Sequence, residues 1–301
     1  MRYGVGLDWS VPVPDVVAQA RRAREAGFAS VSASQIFGYD ALTLLALVGH
    51  EVPDIELMTT VVPIQPRHPM VMAAQALTVQ AATGGRLTLG IGLSHQVVVE
   101  GMWGYEWAHG ALRMREYLEA LVPMVHGEHV TFEGRTVKAA MMGPLDIKTT
   151  APQVIVAALG PKMLELAGTL ADGTVTWMTG PATVESHIVP GITAAAKAAG
   201  RPDPRVVVAL PVSVTANPDA ARETAAATFA MYGYLPSYRA MLDREGAAGP
   251  ADVAIVGNEE SVATQLKRLV EAGATDFAAS PYGPKEDVDR TVALLSELAR
   301  G

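Results

Sequence analysis

The stretch "GGRLTLGIGLSH", Gly84 to His95, decides how the chain is read. A glycine pair ends one element, "RLTLGIG" follows as a short run almost free of polar residues, and a serine and a histidine come directly after it. A run this short and this apolar on both faces marks a strand sandwiched between two layers, as in a parallel sheet. Parallel strands need a crossover between them, and the crossover is usually a helix. Working outward, the alternation holds in both directions. Strands are expected at "RYGVGL", "SVSAS", "IELMTTVV", "RLTLGIG", "QVIVAAL", "GTVTWM", "RVVVALPVSV" and "TDFAASP". Helical spacing follows most of them, over 14–26, 41–50, 69–82, 110–125, 162–170, 184–199, 219–232, 259–272 and 285–300. In "EAGF" and "EAGATDF" a glycine closes a helix just before the next strand.

Eight such alternations in 301 residues predict a closed (β/α)8 TIM barrel, read as one domain over residues 1–301. The pattern breaks once. "HVTFEGRTVKAA" reads as a surface hairpin with Glu133 and Gly134 at its tip, inside an insertion over residues 126–150 between the fourth and fifth units.

Composition narrows the function. Half the residues are hydrophobic and 18% are charged, which supports a large core and excludes a disordered chain. A net charge of −8 with no Lys or Arg run argues against nucleic acid as a partner. The absence of cysteine removes disulfides, thiolate metal sites and a cysteine nucleophile. His109, His126 and His129 stand at spacings that suit no metal, so no metal is expected. There is no G-x-S-x-G elbow, no P-loop and no GxGxxG fingerprint. No apolar run reaches the roughly 18 residues that span a bilayer, and "MRYGVGLDWS" leads straight into a strand. A cytoplasmic protein acting on a small molecule, without membrane contact and with homodimerisation open to it, is the expectation.

In a barrel the chemistry lies at the C-terminal strand ends. The residues there are Asp8 and Trp9, then Ser34, Gln35 and Phe37, then Thr59, Thr60 and Val61. Ser94 and His95 follow the fourth strand, "AALGPKML" the fifth, and Trp177, Met178 and Thr179 the sixth. Gly90 and Gly92 admit two readings: bare backbone that a flat ligand approaches beside Ser94 and His95, or relief of crowding inside the barrel. Gly160 and Pro161 begin a helix whose first amides, at Gly160, Lys162 and Met163, either hold a phosphate or form a plain turn. Arg67 and His68 either meet an anionic tail or cap the helix that follows them, the second reading being the stronger for His68. Glu100, Glu106, Glu116 and Glu119 read mainly as a solvated face.

Taken together, "EAGFASVSASQIFGYDALTLLA", "TTVVPIQPRHPMVMAAQALTVQAATGGRLTLGIGLSH", "VAALGPKMLELAGTLADGTVTWMTGP" and "VGNEESVATQLKRLVEAGATDF" resemble the bacterial luciferase-like flavin monooxygenase superfamily. Within it they are most similar to the oxidoreductases that use coenzyme F420, a 5-deazaflavin. The segments lie in the family's order along nearly the whole chain. The resemblance implies a deazaflavin across the C-terminal strand ends. It implies a non-proline cis peptide between Thr60 and Val61 in a bulge against the ring, and ring contacts from Gly92, Leu93 and Ser94. It also implies head-group contacts from Ser34 and Gln35, and a phosphate turn at Leu159, Gly160, Lys162 and Met163.

The chain departs from the sugar-phosphate dehydrogenases of that family. They carry an Asp-His pair after the second strand and a glutamate after the fourth, where this chain has Gln35-Ile36 and His95. His95 is then the titratable residue at a matching catalytic position and is assigned proton transfer. Trp9, Phe37, Trp177 and Met178 are expected to wall a pocket for an apolar or conjugated substrate. An FMN-dependent monooxygenase and a non-catalytic flavin or deazaflavin binder are the alternative readings.

Overall fold

Each of the eight apolar runs forms a strand in the computed structural model, which describes residues 1–35 and 37–301. We label them β1 (Arg2–Gly6), β2 (Ser30–Ala33), β3 (Glu56–Thr59), β4 (Leu87–Gly92), β5 (Gln153–Val156), β6 (Gly173–Trp177), β7 (Arg205–Val214) and β8 (Asp276–Pro281). All pair in parallel with their sequence neighbours, and β8 closes on β1 with Val5 opposite Ala279. The result is the closed (β/α)8 barrel that the alternation predicts.

Side-chain parity divides the core in two. Met58, Ile155, Val175, Val207, Ala209 and Ala278 form a cluster inside the barrel. Their strand neighbours, such as Leu57, Leu89, Val206 and Val208, face outward into a far larger layer under the helices. The barrel floor, at the N-terminal strand ends, is polar. Arg205 donates to Glu56 and Gln153 at 2.7 Å each and to Asp276 at 2.7 Å, and Arg2 pairs with the same two carboxylates.

Local chemistry sets the helix ends. Asp40 and Asn258 accept from the amides of Thr43 and Ser261 at 2.8 and 2.9 Å, as N-caps do. Gly27 and Gly273 stop their helices at φ +89° and +93°, the left-handed turn that glycine adopts without a Cβ penalty. Arg86, which opens "RLTLGIG", donates to the carbonyls of Gly49, Val52, Ile55 and Thr83 and so ties the start of β4 to the helix Ala41–Glu51.

The hairpin is present as Thr131–Glu133 paired antiparallel with Lys138–Ala140. Its anchor corrects the reading of Glu116 as solvated. The Glu116 side chain is buried and accepts from the amides of Arg135, Thr136 and Val137 at 2.6–3.0 Å and from the Thr136 hydroxyl at 2.6 Å. Burial pushes its pKa up, but these hydrogen bonds outweigh burial and hold it at about 2.

Other elements differ from expectation. Helices Gln96–Gly101, Pro236–Glu245 and Pro250–Val253 and the strand Ile255–Gly257 are additional. The helix expected over 219–232 ends at Thr228 and gives way to a 3-10 turn over Ala230–Gly233. After β6 the helix starts at Pro181 and passes through a π turn, Val184–Ile188, before continuing to Ala198. Pro190, which has no N–H for the carbonyl four residues back, lies just beyond that turn. Among the described residues no helix is long and apolar enough to cross a membrane.

Candidate active site at the barrel mouth

Strand β3 does not run straight into its loop. The Thr60–Val61 peptide is cis, and the chain resumes pairing with β4 through Val62 and Pro63. Neighbours on both sides clamp this bulge. From β2, Ala33 accepts from the Thr60 amide at 2.9 Å, the Ser34 hydroxyl donates to the Thr60 carbonyl at 2.6 Å, and the Gln35 amide donates to Val61 at 3.1 Å. From β4, the Gly90 carbonyl accepts from the Thr59 hydroxyl at 2.8 Å, and the Gly90 amide donates to that hydroxyl at 2.7 Å. The Gln65 side chain donates to the Leu93 carbonyl.

The glycines of "GIG" now have a cause. A Cβ on Gly90 would collide with the Thr59 carbonyl, and one on Gly92 would stand 2.8 Å from the Val61 side chain. The side-chain space at both positions is filled by the β3 bulge, so relief of crowding alone accounts for the two glycines. Ser34 and Gln35 likewise spend polar groups on the protein, since the Gln35 side-chain oxygen accepts from the Ala41 amide at 2.8 Å. Both residues hold the backbone at the C-terminal end of β2 against the bulge. Ile36, the other half of the position where the sugar-phosphate enzymes carry Asp-His, lies outside the described residues.

Beyond Gly92 the backbone turns sharply, with Ser94 at φ +61°. His95 follows in extended conformation as the residue before the helix Gln96–Gly101. Its imidazole is half-buried and makes no hydrogen bond among the described residues. The contrast with the other histidines is informative. His68, His126, His129 and His187 each engage a backbone carbonyl at 2.7–2.8 Å, and His50 and His109 are exposed. Burial pushes the pKa of His95 below the ordinary histidine value. His68 also accepts from the Met70 amide at 3.2 Å and caps its helix, as anticipated, while Arg67 pairs with Asp40 and donates to Gln75.

After β5 the chain reaches Gly160, and helix Pro161–Leu170 begins there with no side-chain cap. A Cβ on Gly160 would meet nothing within 4 Å, so the turn faces open space, and Lys162 beside it is exposed. The Met163 amide donates to the Gly160 carbonyl at 3.0 Å, which removes it from the free amides expected there. His187, from the π turn, holds the Leu159 carbonyl at 2.7 Å.

The expected pocket wall is reshuffled. Trp177 ends β6 on the inward face, whereas Met178, at φ +54°, is fully buried and cannot line the mouth. Phe37 is 62% exposed. Trp9 packs beside Gly38. In their place stands an aromatic series that sequence reasoning missed. The Trp177 ring meets Tyr232 and Phe229 edge-on at 5.8 Å, Tyr232 meets Tyr238 at 5.1 Å, and Tyr238 meets His95 at 5.6 Å. The signal was the tyrosine-rich "MYGYLPSYRAML" after β7, in a segment that a barrel places above its mouth. No group of residues able to hold a metal ion occurs among the described residues.

The model of the luciferase-like monooxygenase family matches residues 2–276. Among curated relatives, 5,10-methylenetetrahydromethanopterin reductase of Methanolobus tindarius is 27% identical, with 95% of this chain and 96% of that protein covered. A putative coenzyme F420-dependent oxidoreductase of Mycobacterium tuberculosis is 28% identical, with 98% and 88% covered. The solved structure of coenzyme F420 dependent tetrahydromethanopterin reductase from Methanopyrus kandleri aligns with a TM-score of 0.83 at 22% identity, covering 98% of this chain and 97% of that one.

Proposed function

This chain belongs to the luciferase-like monooxygenase family, and from that premise we propose that it is a coenzyme F420-dependent oxidoreductase, moving a hydride to or from a small, apolar or conjugated organic substrate. The observation that carries the reading is His95, a half-buried imidazole without a hydrogen bond among the described residues, just past the end of β4 and joined to Trp177 through the rings of Tyr238 and Tyr232. The name of the Mycobacterium tuberculosis relative, a putative coenzyme F420-dependent oxidoreductase, supports the cofactor.

The residues present fit that cofactor. The uncapped turn at Gly160, with its open space and the Lys162 ammonium, suits an anionic tail. Leu159 and Met163 pack against the core and fix the turn. Thr60, Val61, Gly92, Leu93 and Ser94 offer a rigid backing for a planar ring, held from behind by Ser34 and Gln35. When bound, F420 supplies a carbon-based hydride carrier that reacts poorly with oxygen.

The protein has three tasks left: to orient, to exclude water and to move a proton. Trp177 and the tyrosines cover the mouth with apolar rings. His95, whose neutral form burial favours, takes the substrate's proton in the oxidative direction and returns it in the reductive one.

The test is a titration of the purified protein with oxidised F420 and, separately, with FMN, following quenching of ligand fluorescence. Tight binding of F420 alone, weakened in Gly160→Leu, is the expected result. Preference for FMN would move the reading to oxygen-consuming flavin chemistry, and binding of neither would overturn both.

A further inference from the structure

The mouth is roofed from one side by a single stretch of chain, residues 229–245, and that stretch is fastened down at both ends. Phe229 sits edge-on between Trp177 and Tyr282. At the other end the Glu245 carboxylate accepts from the amides of Ala182 and Thr183 at 3.1 and 2.7 Å, a negative charge on the first turn of the helix after β6. Within the stretch, Arg239 donates to Asp243 and to the carbonyls of Ala247 and Ala248 at 2.7–2.9 Å, and Met241 and Leu242 are buried. Tyr238 therefore projects from a rigid helix, Pro236–Glu245, backed by Tyr232. Its ring lies 5.6 Å from the His95 imidazole at 54°.

Among the described residues no polar group sets the orientation of this imidazole, and the ring it packs on is that of Tyr238. We propose that Tyr238 is the positioning residue for His95, its ring turning the imidazole towards the mouth and shutting one face of it off from water. The inference rests on the reading of His95 as the proton-transfer group. The groups near the imidazole that could disturb its titration are few. On the covering stretch they are the Tyr238 and Tyr232 phenols, which burial pushes up and keeps neutral wherever a histidine titrates. On its own helix, Glu100 is held by the Gln96 side chain and the Trp107 amide.

The experiment is proton–carbon NMR of the histidine ring resonances against pH, on the full chain without cofactor. In the unmodified protein, nuclear Overhauser contacts join the His95 and Tyr238 rings, and His95 titrates below the ordinary value of about 6.5. Tyr238→Phe keeps both features, because the ring and not the hydroxyl does the positioning. In Tyr238→Leu the His95 midpoint rises towards the ordinary value as water reaches the imidazole. An unmoved midpoint in Tyr238→Leu, or a rise equally large in Tyr238→Phe, overturns the proposal. Should Tyr238→Leu not fold, absence of ring contacts in the unmodified protein overturns it alone. F420 titration of the same samples separates the two readings: intact ring contacts without F420 binding sink the cofactor assignment, and F420 binding with an unmoved midpoint sinks the positioning.

Discussion

The two ends of the barrel are made from the same eight strands and treat polar groups in opposite ways. At the floor, Arg205 is 14% exposed and its guanidinium is shared among Glu56, Asp276, Gln153 and Thr88. Burial works against the charge on Arg205, and the two carboxylates more than restore it. At the mouth, Ser34, Gln35 and Thr59 are spent on holding the bulge, and His95 is left with both ring nitrogens unbonded among the described residues. A closed network of charges gives a rigid base on which nothing needs to react. At the other end, the half-buried imidazole keeps hydrogen-bonding capacity that no protein group among the described residues uses.

The sharpest way to break this contrast is Arg205→Met, which leaves Glu56 and Asp276 with only the half-exposed Arg2 as a partner. Loss of one member of such a network costs about 3–5 kcal/mol, read by urea unfolding, while the His95 titration stays in place because the mouth is untouched. His95→Ala should do the reverse. Turnover falls by about 10²-fold or more in steady-state assays against a substrate panel, with unfolding midpoint and F420 affinity nearly unchanged. Equal losses in both measurements would mean that the mouth is structural after all.

A smaller effect is expected where the two roles meet. Gly90→Ala forces a methyl group onto the Thr59 carbonyl, so about 1–3 kcal/mol of stability is lost and F420 affinity falls with it. Stability loss without affinity loss would detach the bulge from the cofactor site. A separate, pH-dependent effect belongs to Glu116 under the hairpin. Its folded pKa of about 2 lies below the ordinary 4.5, so its contribution is complete above pH 4.5 and disappears as pH falls towards 2. Melts across that window should show Glu116→Gln losing less stability with acid than the unmodified protein.

How much of this was legible in the sequence follows the same divide. The strands were readable because both faces are buried, so each is a continuous apolar run that needs no partner to be recognised. The hairpin was readable from its own turn. Glu116 was not, because a carboxylate on an amphipathic helix looks solvated until three amides from a hairpin turn 19–21 residues further on arrive to meet it. Met178 was readable in principle. Trp177 and Val175 share the inward face, so the residue after Trp177 points away by strand parity. The contact between Tyr238 and His95 was beyond reach, since nothing local in either segment refers to the other. Gly90 and Gly92 were noticed, but their partner is a bulge on the neighbouring strand, and only the sheet register brings the two together.

Barrel closure carries a consequence for how the chain is made. Strand β1 pairs with β8, and Arg2 finds Asp276 only when almost the whole chain has been synthesised. At ordinary translation rates the first strand waits on the order of tens of seconds with one edge unpaired. On the ribosome, the floor closes only after Asp276 has emerged.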